Sequence, residues 1–209
     1  MGEPPFNYTF TVEEYLERER TSLVKHEYHE GEIFAMAGGT PRHSLLGANV
    51  VSELHRALRG KPCRTYNSDL QVAMSRRKFV YPDASVVCGK VTTFSENPNA
   101  ANNAVLIVEV LSESTASYDR SGKFLRYAQM PDFREYVLIE QDFPFVEVRF
   151  RTAEGTWQIS TYGDLADRIQ LQSIDAQMSM SDLYDGADFG VRSTEEWFEK
   201  NPVGSGEKP

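Results

Sequence analysis

Two acids and a lysine carry most of the chemical information in this chain. Glu109 interrupts Ala104-Val105-Leu106-Ile107-Val108-Glu109-Val110-Leu111, a run that otherwise reads as a strand covered on both faces. An unpaired carboxylate there is expensive to remove from water. A structural strand would carry another Val or Ile, whereas a site needing a fixed anionic oxygen recovers the cost from a cation or a donor. A glutamate at the sheet rim, or one bridged to an arginine, is the plainer alternative, and the site reading is preferred to it. Asp83 follows Pro82 in Phe79-Val80-Tyr81-Pro82-Asp83-Ala84. Pro82 removes a ladder donor, so a strand edge, bulge or irregular start is expected there, which can aim a side chain into a cleft. Alone, Pro-Asp is a common turn dipeptide; its weight comes from pairing with Glu109 on the next strand.

Carboxylates on adjacent strands can share a hard divalent ion such as Mg²⁺, with Mn²⁺ as a substitute, leaving coordination sites for water and a substrate phosphate. A lysine beside such an ion would orient or deprotonate the attacking water and neutralise charge developing on the phosphate. Two residues after Glu109, however, stands Leu111. Lys123 is the replacement, four residues after Asp119 on the face of a following helix. On local sequence alone, Asp119 with Lys123 reads as an ordinary surface ion pair. Gly122 beside it is costly in a helix and would permit a close approach.

The elements that must position these residues follow from pattern. Thr11-Val12-Glu13-Glu14 has the form of a capping box and starts a helix near Val12, with Val12, Tyr15, Leu16, Leu23 and Val24 as its apolar members. Residues 27–36 read as a hairpin turning at Gly31. Thr40-Pro41 opens a second helix, in which Leu46, Val50, Leu54 and Leu58 recur every four residues. Strands are expected at 64–74, 79–88 and 104–111, with an Asn/Pro-rich loop at 95–103. A third helix is expected at 120–129, stopped by Pro131. Strands at 135–140, 145–151 and 156–162, the last two a hairpin, and a short helix at 179–185 complete the series. The sum is an α/β (α+β) fold, a mixed sheet flanked by helices. One domain is expected over residues 1–190, with an extension at 191–209 that ends in a disordered segment.

Composition limits the partners. The 209 residues carry 31 acidic and 22 basic side chains, a formal net charge of −9, which argues against a protein that coats nucleic acid by bulk charge. A local patch would have to serve, for which Lys61, Arg64, Arg76, Arg77 and Lys78 are candidates. No stretch is apolar enough for a membrane span, and the first ten residues lack the form of a signal peptide, so a cytoplasmic protein without membrane contact is expected. The two cysteines, Cys63 and Cys88, suggest neither a disulfide framework nor a zinc site and are expected as buried small hydrophobes.

Taken in order, Glu27-Tyr28-His29-Glu30-Gly31-Glu32-Ile33, Ala37-Gly38-Gly39-Thr40-Pro41-Arg42-His43, Cys63-Arg64-Thr65-Tyr66-Asn67-Ser68-Asp69-Leu70, Tyr81-Pro82-Asp83, Val108-Glu109-Val110-Leu111-Ser112-Glu113-Ser114-Thr115, Tyr118-Asp119-Arg120-Ser121-Gly122-Lys123-Phe124 and Glu135-Tyr136-Val137-Leu138-Ile139 closely resemble the Uma-two family of restriction-type endonucleases. The resemblance spans roughly residues 8–186. It implies a PD-(D/E)xK core, Asp83 and Glu109 as metal-binding acids, and a catalytic lysine moved from the strand to the following helix, at Lys123. It also implies that Glu27 is the additional acid such nucleases bring from their first helix, and it overrides the surface-pair reading of Lys123. His43 resembles the histidine of the family's Pro-x-His segment, at a helix N-terminus suited to a phosphate path; a local packing role is equally open. Asp69 reads either as an acid supporting the site or as a turn residue, with Asp119 a further supporting candidate. Glu113 stands where the family commonly has Pro. His26, His29 and His55 fall in no ligand spacing.

The implied function is Mg²⁺-dependent hydrolysis of DNA phosphodiesters, by a homodimer if both strands are cut. A non-catalytic DNA-binding or assembly module of the same fold, and a hydrolase of a small phosphate substrate, are the alternatives.

Overall fold

The computed structural model describes residues 9–113 and 115–189, so the expected extension at 191–209 lies outside the described residues. Helix α1 (Val12–Thr21) begins as its sequence dictates: the Thr11 hydroxyl accepts from the Glu14 amide at 3.2 Å and the Glu14 carboxylate accepts from the Thr11 amide at 2.8 Å. It stops earlier than expected. The Ser22 hydroxyl bonds both the amide and the carbonyl of Val24, offering the backbone a turn in place of another helical residue. Leu23 and Val24 therefore lie beyond the helix and are exposed. Strands β1 (His26–His29) and β2 (Glu32–Ala35) form the expected hairpin, with Glu30 and Gly31 both at positive φ, as a type I′ turn requires. Helix α2 (Pro41–Ala57) is capped by Thr40, whose hydroxyl accepts from the His43 amide at 3.1 Å.

The next strands are β3 (Cys63–Asn67), β4 (Gln71–Ser75), β5 (Lys78–Val80), β6 (Ala84–Cys88), β7 (Thr93–Phe94), β8 (Asn97–Ala101) and β9 (Ala104–Leu111). A helical segment follows in three parts, α3 (Ala116–Tyr118), a π-helical turn (Asp119–Lys123) and α4 (Phe124–Tyr127). Then come β10 (Glu135–Glu140), β11 (Val146–Arg151), β12 (Trp157–Tyr162), the hairpin β13 (Arg168–Leu171) with β14 (Ala176–Ser179), and α5 (Met180–Leu183). The expected class stands: mixed sheets flanked by helices. The strands, however, divide between two six-stranded sheets, ordered β2-β1-β5-β4-β8-β7 and β12-β11-β10-β9-β6-β3.

That division explains where the expected strand limits were too generous. Residues 64–74 form two strands because Asn67 accepts the amides of Asp69 and Leu70, through its side chain and its carbonyl, and this turn carries the chain from one sheet to the other. Residues 79–88 break at Tyr81-Pro82-Asp83, where the chain crosses back. The loop expected at 95–103 contains β8, which its polar composition conceals. Asn97 is fully buried there and bonds Gln71, which in turn bonds the Tyr15 hydroxyl.

Strand β9 separates two layers of core. Leu106, Val108 and Val110 pack with Leu46, Val50 and Leu54 of α2, whereas Ile107 and Leu111 face Tyr127, Phe133 and Tyr136. A third cluster stacks Tyr15 of α1 on Tyr28 and Phe79, with ring centroids 5.0 and 5.9 Å away. No helix among the described residues is long and apolar enough to cross a membrane.

The cysteines depart from expectation. Cys63 and Cys88 stand directly opposite one another in the β3–β6 register and are joined by a disulfide. Neither spacing nor composition signals this, because the pairing arises from sheet register alone. Thiol titration of protein unfolded without reductant should find no free cysteine, and reduction should lower stability by about 3.5 kcal/mol on the chain-entropy account of a loop closed over 25 residues.

Candidate active site

Antiparallel pairing of β6 with β9 sets Ala84 opposite Val108, so one step further Asp83 comes level with Glu109. Alternation does the rest. Because Ala84, Val108 and Val110 belong to the α2 side of the sheet, Asp83 and Glu109 fall together on the other side. The Asp83 carboxylate is fixed there by accepting the Val110 amide at 2.7 Å through Oδ2. The sequence expectation of an irregularity at Pro82 is met, and it delivers Asp83 to the point where the chain passes between the two sheets.

The helical segment after β9 covers this face. Its π turn frees carbonyls from the helical ladder, and side chains from the sheet take them: the Tyr136 hydroxyl donates to the Asp119 carbonyl at 3.2 Å and Arg149 to the Arg120 carbonyl at 2.8 Å. Asp119 and Lys123, the first and last residues of this turn, are buried. Lys123 Nζ lies 2.7 Å from Glu109 Oε1 and 3.5 Å from Asp119 Oδ1. The side chains are under 10% exposed, which replaces the surface pair that local sequence suggested with a buried cluster. Gly122 has a packing reason, since a Cβ there would lie 3.0 Å from the Tyr118 ring.

Glu27 joins the same cavity, though from strand β1 and not from the first helix, which ends at Thr21. Its carboxylate accepts the Tyr81 amide at 3.3 Å and meets His29 Nε2 at 3.1 Å. His43, in the first turn of α2, places Nε2 3.6 Å from Asp83 Oδ2. Asp69 is a turn residue: it is exposed, bonds Lys25 and Asn67, and is not part of the cavity wall. Two contributors went unread in the sequence. Tyr127 donates to Glu109 Oε1 at 3.0 Å, and its spacing of four from Lys123 was the available signal. His29, set aside for lack of ligand spacing, holds Glu27.

The cavity measures about 1190 Å³. Its wall presents Glu27, Asp83, Glu109 and Asp119 to Lys123, while its other lysine, Lys25, is bonded to Asp69. Burial pushes the Glu109 carboxyl up to about 8 against the pull of Lys123, and the nearby Asp83 and Asp119 push the same way. Burial also raises Asp83, opposed by His43 and the Val110 amide. Lys123 moves up despite its own burial, because Glu109, Glu27 and Asp119 hold its proton. Glu27 falls: burial opposes ionisation, but the His29 bond, Lys123 and the Tyr81 amide outweigh it. Glu109 takes both of its hydrogen bonds on Oε1, so Oε2, together with Asp83 Oδ1, has no hydrogen-bond partner among the described residues. Also among them, no group of three or more His, Cys, Asp and Glu side chains is gathered as a metal-binding set. What the face offers is a pair of carboxylates.

The crystal structure of a putative nuclease belonging to DUF820 from Anabaena variabilis has a similar fold, with a TM-score of 0.66 at 19% identity over 84% of this chain and 97% of that one. In sequence, the uncharacterized protein slr1290 of Synechocystis is 35% identical over 85% of this chain and 92% of its own length. A second uncharacterized Synechocystis protein, sll1609, is 30% identical over 72% and 85%. The Uma2 model, whose description is "putative restriction endonuclease", matches residues 12–181. By that match, which takes in both acids, the buried lysine and the strands and helix that hold them, the chain belongs to the Uma2 family.

Proposed function

We propose that this protein is a metal-dependent nuclease that hydrolyses DNA phosphodiester bonds, with Asp83 and Glu109 holding Mg²⁺ and Lys123 acting on the reacting phosphate. The observation that carries the reading is the pair of level carboxylates, each with one oxygen lacking a hydrogen-bond partner, in a wall where four acids face one lysine. Such a donor set suits Mg²⁺, which takes one or two carboxylates and completes its shell with water and substrate phosphate. When bound, the ion would supply Lewis acidity and a water that ionises near neutral pH. Asp119 positions Lys123 from the π turn, and Tyr127 fixes the Glu109 rotamer. Three carboxylates keep Lys123 protonated, so it serves as a donor that neutralises charge on the phosphate and orients water, and not as a base. His43, 3.6 Å from Asp83, and the Glu27–His29 pair are the groups placed to move a proton. Cutting both strands of a duplex would call for two copies of the site.

A second reading is a non-catalytic module of the same fold. It is favoured by one observation, that Glu109 already bonds a cation of the protein itself, Lys123 at 2.7 Å. Titration calorimetry with Mn²⁺ separates the two: the nuclease should bind the ion, and Asp83→Ala should abolish the heat. With plasmid DNA and Mg²⁺, Asp83→Ala should leave no measurable cleavage and Lys123→Ala should cost at least about 100-fold; activity surviving both substitutions would remove the assignment.

The raised Glu109 carboxyl sets a pH dependence for the metal-free protein. Its folded-state value of about 8 lies above the ordinary 4.5, so the proton it keeps adds stability that is full below about 4.5 and lost as pH rises through about 8. Urea midpoints measured from pH 5 to 9 should fall with pH in the wild type, and Glu109→Gln should flatten that slope.

A further inference from the structure

Of the five cations that the sequence gathers between residues 61 and 78, three are engaged within the fold. Lys61 bonds the Ile174 carbonyl at 3.3 Å and lies 3.7 Å from the Asp175 carboxylate. Arg64 donates to the carbonyls of Lys61 and Cys63, and Arg76 pairs with Glu96 at 2.6 Å. Lys78 is different. It is 5% exposed, and its ammonium, which reaches the surface, takes no hydrogen bond or ion pair among the described residues. Its strand explains where it points. Phe79 packs with Tyr28 in one cluster and Val80 with Tyr127 in another, so alternation puts Lys78 on the Val80 side, beneath α4. Register places His29 level with Lys78, which brings Glu27 and His29 to the same face.

The nearest charges do not satisfy it. Burial and the positive charge of Arg126 push the Lys78 ammonium down to about 8, while Glu30 and Glu27 act the other way without pairing with it. Glu27 is held by His29 and the Tyr81 amide. Arg126 likewise has no carboxylate partner among the described residues; it donates to the Tyr118 hydroxyl at 2.6 Å and lies over that ring. Tyr118 is part of the cavity wall, and Gly122 leaves room for its ring. Two neighbouring cations with no carboxylate bonded to either repel, and the arrangement is relieved by an anion that both can reach. The Tyr118 hydroxyl accepts from Arg126, so its own hydrogen is free to donate to that anion.

We propose that Lys78, Arg126 and the Tyr118 hydroxyl form a phosphate-binding subsite at the edge of the carboxylate cleft, which takes a backbone phosphate of the strand beside the bond to be cut. Placing that phosphate on a nucleic-acid strand rests on the proposed nuclease activity; the phosphate chemistry does not. Arg126 is exposed, so Arg126→Gln tests the subsite without risk to the fold, and Lys78→Met removes the ammonium while keeping an apolar chain of similar length in the buried stem position.

The experiment measures binding of an oligonucleotide, with Ca²⁺ in place of Mg²⁺ to prevent cleavage, across a salt series, alongside calorimetry with a dinucleotide and with inorganic phosphate. Each substitution should weaken oligonucleotide and dinucleotide binding about tenfold and flatten the salt dependence by about one phosphate contact. Unchanged affinity and unchanged salt slope in Arg126→Gln would overturn the subsite even if the wild type cleaves DNA. Loss of inorganic phosphate binding in the variants of a protein that cleaves no DNA would support the subsite and remove the nuclease reading. Equal binding of inorganic phosphate and dinucleotide, both lost in the variants, would support the anion site and overturn its assignment to a strand.

Discussion

The contact between Lys123 and Glu109, 2.7 Å long and almost wholly removed from solvent, is the interaction on which the rest of the site depends. Neither charge could stay there alone. A buried carboxylate or ammonium without its partner costs several kcal/mol, and the geometry has to be good for the pair to recover it. Much of the surrounding structure supplies that geometry. Tyr127 donates to the same carboxylate oxygen, Asp119 approaches the ammonium from one turn away, and the sheet residues Tyr136 and Arg149 hold the carbonyls that the π turn releases. The helix is thus docked on the sheet by charge and hydrogen bonds as well as by the apolar contacts of Phe124, Tyr127 and Tyr136.

Charge imbalance is the second constraint. One lysine facing four carboxylates leaves the cavity wall anionic, and a chain with net charge −9 adds nothing to offset it at long range. A polyanionic substrate would be repelled by such a surface. On the proposed nuclease reading, attraction would have to be local, from a divalent ion held by the level carboxylates and from cations at the cleft edge that have no acid of their own. Most of the basic residues in the expected patch fail that condition because Asp175, Glu96 or backbone carbonyls already engage them. Lys78 and Arg126 meet it, the first on the strand beneath the helical segment that carries Lys123 and the second on that segment.

How far the sequence revealed this depends on whether a residue breaks a local rule. Glu109 was legible because it violates the apolar run of a covered strand, and Asp83 because Pro82 cannot donate to a ladder. Lys123 was not, since four-residue spacing from Asp119 looks the same on an exposed helix as on a docked one; burial is decided by where the helix packs, and only the resemblance selected this lysine. Helix starts at Thr11 and Thr40 were legible from capping chemistry that acts within four residues. The two-sheet arrangement was not, because the crossings at Asn67 to Leu70 and Tyr81 to Asp83 look like turns within single strands. The Cys63–Cys88 bond was hidden for the same reason: it follows from β3–β6 register, which no local pattern encodes.

Moving the lysine from strand to helix changes how the site holds together. Two residues after Glu109, a lysine would share its strand and face, and its distance from the carboxylate would be fixed by backbone pleat alone. Leu111 occupies that place and is buried against the helical segment, adding apolar contact where a charge would otherwise lie. Lys123 reaches Glu109 from the opposite layer, so the separation of the two charges is set by how the helix seats on the sheet. Any loosening of that seating lengthens the ion pair and admits water to it at once, which couples the chemistry of the cleft to the packing of Phe124, Tyr127 and Tyr136. The π turn, Gly122 and the donors from β10 and β11 are the means by which this chain keeps that seating within hydrogen-bond tolerance.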